Sequence, residues 1–515
     1  MLLKIAEGAF DFHPGDLLQG FSKIKVPSRL KNFNSFDLPF YYRIQGILAT
    51  SFIETTSSLV KLREGASSVF NGLPSIQKNF SKSIEFLPED SQAFLKALLL
   101  GEQSSLSEEI QSHFRKTGTT HLLVVSGFHL VMLGGFLYFF IRTFSLFWPG
   151  LLLKISIHKT AVILSMIGML FYAALVGFSP SVLRALLSAY CAGFFFLFSE
   201  ERDPLGILFF IALILLIFHP FFLFQISFQL SFLSVFSILF FTPSWLEILE
   251  GLKKNLSGRI LYFFLSLLLM SLAAQLGLAP LLIYHFHQIS WVAPLTNLIL
   301  VPLFSFFFMP LGMLALGLSG FHLFHSELLF QLLGFGFERT LALLKFFSKL
   351  PYSHSYLISL SAVQIIFYYL LLYTPRLHFS FKRKIALIAL CLFLIFVTPL
   401  IQAKWNQRDS SLTFHFLDVG QGDALWIEFP NHQNMIVDGG GSIDSKFDFG
   451  ERVLLPELLS RGVSQMDWIV LSHPHPDHYK GLQALFRAYR PQEFWWNGEN
   501  ISHPDFQSFL NQVQA

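Results

Sequence analysis

The chain has 515 residues, of which 53% are hydrophobic, 17% aromatic and only 13% charged, and its mean hydropathy is +0.55. Charged residues make up about a quarter of an ordinary soluble protein, so this composition excludes a disordered chain and argues against a conventional soluble enzyme. The net charge of +3, from 36 Lys+Arg against 33 Asp+Glu, is too even to argue for a charged partner, and two cysteines, Cys191 and Cys391, exclude a disulfide framework.

Residues 1–120 read as soluble, mixing polar runs such as Asn32–Asn34 with strand-like runs such as Gly46–Glu54. Residues 121–402 hold one apolar run after another, and about 20 such residues cross a bilayer as a helix. The pattern predicts ten spans, at 121–145, 158–177, 181–198, 204–219, 221–241, 260–284, 291–318, 328–350, 356–374 and 384–402. The eighth carries Glu338, Arg339, Lys345 and Lys349, so an amphipathic helix on the membrane surface is its alternative reading. Basic residues gather in odd-numbered connections: Arg142, Lys154 and Lys159 in the first, Lys253, Lys254 and Arg259 in the fifth, Arg376, Lys382, Arg383 and Lys384 in the ninth. With ten spans these share the cytoplasmic side, which places both soluble regions on the outer face. No secretory signal precedes His121, so an outward leading region predicts further helices upstream.

Residues 403–515 return to soluble composition. Met466–Ser472 reads as a buried strand that runs straight into His473, Pro474, His475, Pro476, Asp477 and His478, then Gly481 and a helical run. Alternate positions in an extended, proline-stiffened segment can aim His473 and His475 at one metal, while Asp477 and His478 sit at the turn and can serve a second. Imidazole and carboxylate suit zinc, manganese or iron, and a pair of such ions can activate water against a phosphodiester or acyl group. The bland alternative is a solvated polar loop, which four ligand-type residues after an apolar strand make improbable. Upstream, the strand Thr413–Val419 contains Asp418 and ends in Gly420, Gln421, Gly422 and Asp423; the strand at 434–437 ends in Asp438, Gly439, Gly440 and Gly441. An acidic residue at such a strand end can reach a neighbouring imidazole and orient it, so Asp438 and Asp418 are the candidate orienting residues.

Taken together, these motifs resemble the metallo-β-lactamase fold. The resemblance implies that His473 and His475 bind the first metal, that Asp477 and His478 bind the second and take part in catalysis, and that Asp438 stands behind them. Two divalent transition metal ions, zinc or manganese, are the implied cofactors. The family supplies further metal ligands downstream of this pattern, so 403–515 corresponds to the N-terminal part of that domain.

The run from Thr117 to His129 (TGTTHLLVVSGFH), with Ser179–Ala185, Phe228–Phe232, Asn297–Pro302 and Leu417–Ala424 (LDVGQGDA), resembles the ComEC family of bacterial competence proteins from about residue 20 to 515. The resemblance implies a polytopic α-helical membrane protein. It would have a partial OB-like β domain at 1–80, a connecting helical region at 81–120, a competence transmembrane domain at 121–402 and a partial metallo-β-lactamase α/β domain at 403–515. It implies a DNA internalisation channel of natural transformation in the bacterial inner membrane, passing single-stranded DNA drawn from double-stranded DNA outside, with a metal-dependent nuclease domain. The lipid membrane, other competence machinery proteins and a second copy of the chain are its implied partners. A channel with a catalytically silent, binding-only C-terminal domain, and a membrane-bound metallohydrolase of a non-nucleic substrate, are the alternatives.

A strand crossing hydrocarbon needs polar and basic groups along its path, and charge at mid-membrane costs about 2.5–3.5 kcal/mol, so intramembrane polar residues are functional candidates. These are His121, Ser126, His129, Arg184, Gln225, Gln229, Gln275 and Asn297. Snorkelling explains Arg184 equally well, and helix–helix hydrogen bonding explains Gln225 and Gln229.

Overall fold

The computed structural model describes residues 2–7, 16–33, 35–55, 58–63, 72–123, 125, 127–147, 156–178, 180–198, 203–320, 326–406, 411–441, 447–499 and 501–514. Five short strands, β1 (Leu2–Glu7), β2 (Leu17–Gly20), β3 (Lys23–Lys25), β4 (Thr50–Thr55) and β5 (Leu59–Arg63), form two small sheets, β1-β4-β3 and β2-β5. Helix α1 (Leu38–Ile44) lies between β3 and β4 and is capped by the Asp37 carboxylate, which accepts from Phe40 N at 2.8 Å.

Helices α2 (Gly72–Ser83), α3 (Glu89–Leu100) and α4 (Glu108–Lys116) come next in the chain. In α4 the local electrostatics are consistent with the fold: Ser107 caps the start, Glu108 and Glu109 occupy the first turn, and Arg115 and Lys116 the last, each sign set against the helix dipole. Helices α2 and α3 are part of the helical core. Phe94 stacks on Phe337 at 4.1 Å and meets Phe304 and Phe308 edge-on, while Phe80 meets Phe330, all fully or almost fully buried. Such aromatic pairs are worth about 0.5–1.5 kcal/mol beyond their buried area.

The apolar region then runs through α5 (Thr120–Leu123), α6 (Gly127–Ser145), α7 (Ile157–Val176), α8 (Pro180–Phe198), α9 (Pro204–Phe218), α10 (Ile226–Leu249), α11 (Leu256–Phe286), strand β6 (Gln288–Ser290), α12 (Ala293–Leu303), α13 (Met309–Gly320), α14 (Ser326–Lys349), strand β7 (His354–Tyr356), α15 (Ala362–Tyr373) and α16 (Phe381–Asn406). A π-helical turn at Phe304–Phe308 joins α12 to α13. Each of the ten expected spans contains helix. Among the described residues, seven helices are long and apolar enough to cross a membrane: α6, α7, α8, α10, α11, α12 with α13, and α16. The other three fall short for separate reasons. α9 has 15 residues and α15 has 12, against the roughly 20 a bilayer needs, and α14 is long but carries Glu338, Arg339 and Lys345.

The C-terminal region is a five-stranded sheet in the order β12-β11-β10-β9-β8, from β8 (Thr413–Phe416), β9 (Leu425–Glu428), β10 (Asn434–Val437), β11 (Trp468–Leu471) and β12 (Glu493–Trp496). β10, β11 and β12 are parallel, whereas β8, β9 and β10 form an antiparallel meander. Helices α17 (Leu455–Ser460), α18 (Pro476–Tyr479), α19 (Leu482–Ala488) and α20 (Pro504–Gln514) accompany the sheet, and its core includes Trp426, Ile436, Leu458, Ile469, Leu482 and Phe506.

Chain segments before and after the helices touch. Asn32 and Asp418 exchange two hydrogen bonds, at 2.7 and 2.8 Å, and Phe33 N donates to Glu457. Two segments in contact lie on one side of a bilayer, so the number of crossings between them is even.

Candidate functional site

The parallel register of β10 and β11 sets Val437 against Val470, so both strands deliver their next residues to one edge of the sheet. From β10 comes Asp438, in a left-handed conformation at φ +59° and buried. From β11 comes Ser472, with the histidine loop directly after it. The Asp438 carboxylate collects three donors: Ser472 N at 2.9 Å, Ser472 Oγ at 2.6 Å and His478 Nδ1 at 2.9 Å.

These bonds fix protons. A carboxylate only accepts, so Ser472 and His478 both donate to it. The Ser472 hydroxyl has then spent its hydrogen, and its 2.9 Å contact with His473 Nδ1 has the imidazole as donor. Both rings therefore carry hydrogen on Nδ1 and keep a free lone pair on Nε2, the state a metal-binding histidine needs. The His473 ring centroid lies 4.0 Å from that of His478 and 4.8 Å from that of His475. His478 Nε2 is 3.9 Å from the Asp477 carboxylate. His478 is buried, His473 half-buried and His475 exposed.

Close backbone packing holds this edge together. A Cβ on Gly422, at φ +80°, would stand 1.9 Å from the Asp477 carbonyl oxygen, and one on Gly481 would stand 1.9 Å from that of Gly439. Gly439 N also donates to His478 O, and Gly440 N to Asp423 O. Loops 420–423, 438–441 and 476–481 thus lie backbone against backbone.

Three imidazoles and a carboxylate fit a divalent transition metal in kind. They do not fit in arrangement: among the described residues no three His, Cys, Asp or Glu side chains converge as a ligand set.

Asp418, expected behind the ligands, has different partners: its carboxylate accepts from Lys31 N at 2.9 Å and from Gly420 N. Ser472 carried no signal of its own in the sequence. Its role emerges from the strand register that sets it beside Asp438.

The helical region separates the polar candidates into groups. Arg184 donates to Gln225 and Ser227, and Gln229 contacts His285 at 3.3 Å. Asn297 of α12 donates to Ser271 of α11, and Gln275 of α11 to the Ser290 carbonyl of β6. His129 is buried on α6 and His121 exposed on α5, and Ser126 lies outside the described residues.

A chain of charges joins the two large regions: Arg452–Glu108 at 3.1 Å, Glu108–Arg115 at 2.7 Å, Arg115–Glu451 at 3.1 Å, Glu451–Arg487 at 4.0 Å and Arg487–Asp448 at 3.0 Å. Burial opposes the Arg115 charge, but Glu451 and Glu108 more than offset it and hold its pKa above the usual arginine value. Burial and the neighbouring Arg487 push Lys116 down. His354 is pushed down to about 4 by burial, with Lys116 and Arg487 adding to the effect.

The fold and its site define a multi-pass membrane protein carrying a metallo-β-lactamase-type domain: the metallo-beta-lactamase superfamily matches residues 417–508, and that match implies the use of divalent metal. The competence protein family matches residues 98–382, more than half of the chain. The chain belongs to the ComEC family of competence proteins. It is 29% identical to "ComE operon protein 3" of Bacillus subtilis over 80% of this chain and 51% of the relative. It is 24% identical to "Recombination protein 2" of Haemophilus influenzae over 92% of this chain and 61% of the relative. To "Competence protein ComA" of Neisseria gonorrhoeae it is 25% identical over 77% of this chain and 52% of the relative. The chain thus spans about half to three fifths of the length of these relatives. No solved structure matches it. Family and helices together make it a multi-pass protein of the bacterial inner membrane.

Proposed function

We propose that this chain takes part in DNA uptake, carrying one strand across the cytoplasmic membrane, and that its C-terminal domain hydrolyses phosphodiester bonds of the incoming duplex. The observation that carries the reading is the Asp438 network: one buried carboxylate sets the tautomers of His473 and His478 on a rigid loop, next to a competence-family helix bundle. In this reading His473, His475, Asp477 and His478 are the residues that would take up two divalent ions, zinc or manganese, and their side chains would have to turn together to do so. Bound ions would supply water activation and offset charge on the phosphoryl group. The protein's own part is orientation: Asp438 and Ser472 hold two imidazoles by their Nδ1 hydrogens, and the packed glycine loops prevent their drift.

Residues 1–80 form part of an OB-like domain in this reading, 81–120 connect it to a transmembrane domain at 121–402, and 403–515 contribute the hydrolase. We place both soluble regions on the outer face. Helix α11, at 31 residues, is about 46 Å long and reaches across a bilayer. The turn before its start carries Lys253 and Lys254, its first turn carries Arg259, and Arg376 of another basic connection bonds Phe240 O and Ser244 Oγ in the C-terminal half of α10. Its other end leads into β6, which pairs with β7, and the loop after β7 bonds the C-terminal domain through Ser359 N and Leu459 O. Basic residues stay in the cytoplasm, which puts the hydrolase end outside, where it meets duplex before the membrane does.

Two measurements test the reading. His475→Ala abolishes metal-dependent DNA cleavage by the protein, assayed on labelled duplex; unchanged cleavage removes His475 from the mechanism. Disrupting the gene stops entry of labelled DNA into the cytoplasm, and normal entry in the disrupted strain rejects the channel. A second reading, a domain that binds without cutting, is favoured by the unconverged ligand set. Metal-independent duplex binding with no cleavage would select it.

A further inference from the structure

Four arginines in or beside the C-terminal domain are paired with carboxylates: Arg115, Arg452, Arg461 and Arg487 each have one within 3.1 Å. Arg184 is different. It is 8% exposed, and its guanidinium donates only to neutral groups, Gln225 Oε1 and Ser227 Oγ, the latter at 2.7 Å. No ion pair to a carboxylate forms at Arg184 among the described residues, and its guanidinium stands 5.3 Å from the centre of the Phe222 ring. A guanidinium has five N–H donors and cannot lose its charge in a protein. Two neutral acceptors leave part of that capacity and all of the charge unanswered, and a buried charge is retained at a cost unless an anion answers it.

The surroundings say what kind of anion. Arg184 sits in the first turn and a half of α8, while Gln225 and Ser227 open α10, so two motifs some forty residues apart meet at one end of the bundle. That end belongs to the soluble side, because Phe40 of α1 packs on Phe224 at 6.4 Å and the Tyr41 hydroxyl lies within electrostatic reach of Arg184. Tyr41 is 42% exposed and Phe224 62%. Farther along the same face, Gln229 and His285 continue the polar surface. One fixed cation, neutral hydrogen-bonding partners and open aromatic faces are the parts of a single-strand contact, in which the backbone meets charge and bases meet rings.

We infer that Arg184, held by Gln225 and Ser227 against the Phe222 ring and with the exposed Tyr41 and Phe224 nearby, is a phosphodiester seat that receives the nucleic acid strand at the outer mouth of the membrane domain. This deepens the channel reading and rests on it. A phospholipid headgroup offers the same phosphate chemistry, but Arg184 is turned inward among helices, and the exposed rings beside it suit bases.

The test uses the full chain in nanodiscs and a fluorescent dT20 oligonucleotide, with affinity measured by anisotropy over a range of salt. Arg184→Gln weakens binding roughly tenfold and lowers the slope of log affinity against log salt by about 0.7, one single-strand phosphate contact. Arg184→Lys keeps most of both. Gln225→Glu supplies a carboxylate to the guanidinium, does not lower the melting temperature and weakens binding as Arg184→Gln does, which guards against a folding defect. With a bromodeoxyuridine oligonucleotide, photo-crosslinks to Tyr41 or Phe224 form in the native chain and vanish in Arg184→Gln. Unchanged affinity and crosslinking in both Arg184→Gln and Gln225→Glu overturn the inference alone. So does a result in which the variants lose affinity for phosphatidylglycerol and not for the oligonucleotide. A native chain that binds no oligonucleotide at all sinks the channel reading itself.

Discussion

Gly134 and Gly312 inside the helical bundle face side chains, whereas Gly422, Gly450 and Gly481 around the histidine loop face backbone. A Cβ on Gly134 would meet Met169 Sδ at 2.8 Å, and one on Gly312 would meet Leu99 Cδ2 at 2.8 Å. Around the histidine loop the neighbours are carbonyl oxygens: that of Asp477 for Gly422, that of Gly439 for Gly481, and that of Gly481 for Gly450, at 1.9, 1.9 and 2.1 Å. Side chains can move by changing rotamer, but three loops pressed backbone to backbone cannot. At these positions the bundle can adjust by rotamer changes, whereas the histidine loop is held in position. Gly481→Ala breaks the comparison hardest. It should destabilise the C-terminal domain by about 3 kcal/mol or more, against about 1 kcal/mol or less for Gly134→Ala. Thermal melts of the two variants check this, and equal losses would show that both regions are equally rigid.

Asp438→Asn sharpens the same contrast from the chemical side. An amide keeps the shape but presents an N–H where Ser472 or His478 also donates, so the shared acceptor fails and one imidazole loses its tautomer. Affinity for zinc or manganese, measured by titration, should fall about 10–100-fold. Ser472→Ala, which loosens only His473, should cost less than Asp438→Asn.

Legibility in the sequence tracks the range of the interactions. The histidine loop was legible because its ligand-type residues lie within six positions of one another after an apolar strand. The helices were legible because lipid demands unbroken apolar runs. How many helices cross was not, because α9, α14 and α15 have apolar character without both the length and the low charge of a span. Asp418 shows the limit for single residues. Beside a glycine turn it has the look of an orienting acid, yet its partner is Lys31, 387 positions away, and no local pattern carries that information. The same holds for Arg184, whose meaning depends on which groups are missing around it.

His354 tests the junction between the regions through pH. It lies on β7, with Ser353 Oγ at 3.1 Å from its Nδ1, the Tyr356 ring beside it, and Lys116 and Arg487 as the charged neighbours. Its folded pKa of about 4 is below the ordinary value of 6.5, so between these limits the unfolded chain binds the extra proton. Stability from this group is complete above pH 6.5 and is lost as pH falls toward 4. By pH 5 the loss should reach roughly 1–2 kcal/mol. A His354→Gln variant should melt with a weaker dependence on pH between about 7 and 5, and an identical dependence would exclude His354 as its source.

The smallest effect belongs to the ion chain across that junction. Its members are partly exposed: side-chain exposures are 31% for Glu108, 27% for Arg115 and 40% for Arg452, so each link is worth about 1 kcal/mol or less. The signs alternate from Arg452 through Glu108, Arg115, Glu451 and Arg487 to Asp448, and the C-terminal domain grips α4 at two points, Arg452 on Glu108 and Glu451 on Arg115. Glu108→Gln removes two attractions and leaves Arg115 with Glu451 alone. A double-mutant cycle of Glu108→Gln with Arg452→Gln should give a coupling of a few tenths of a kcal/mol at low salt, vanishing near about 1 M, where screening acts within about 3 Å. Coupling that persists at high salt would mean the pair is held by packing around α4 and not by charge, and the junction would then resemble the histidine-loop edge more than a screened surface.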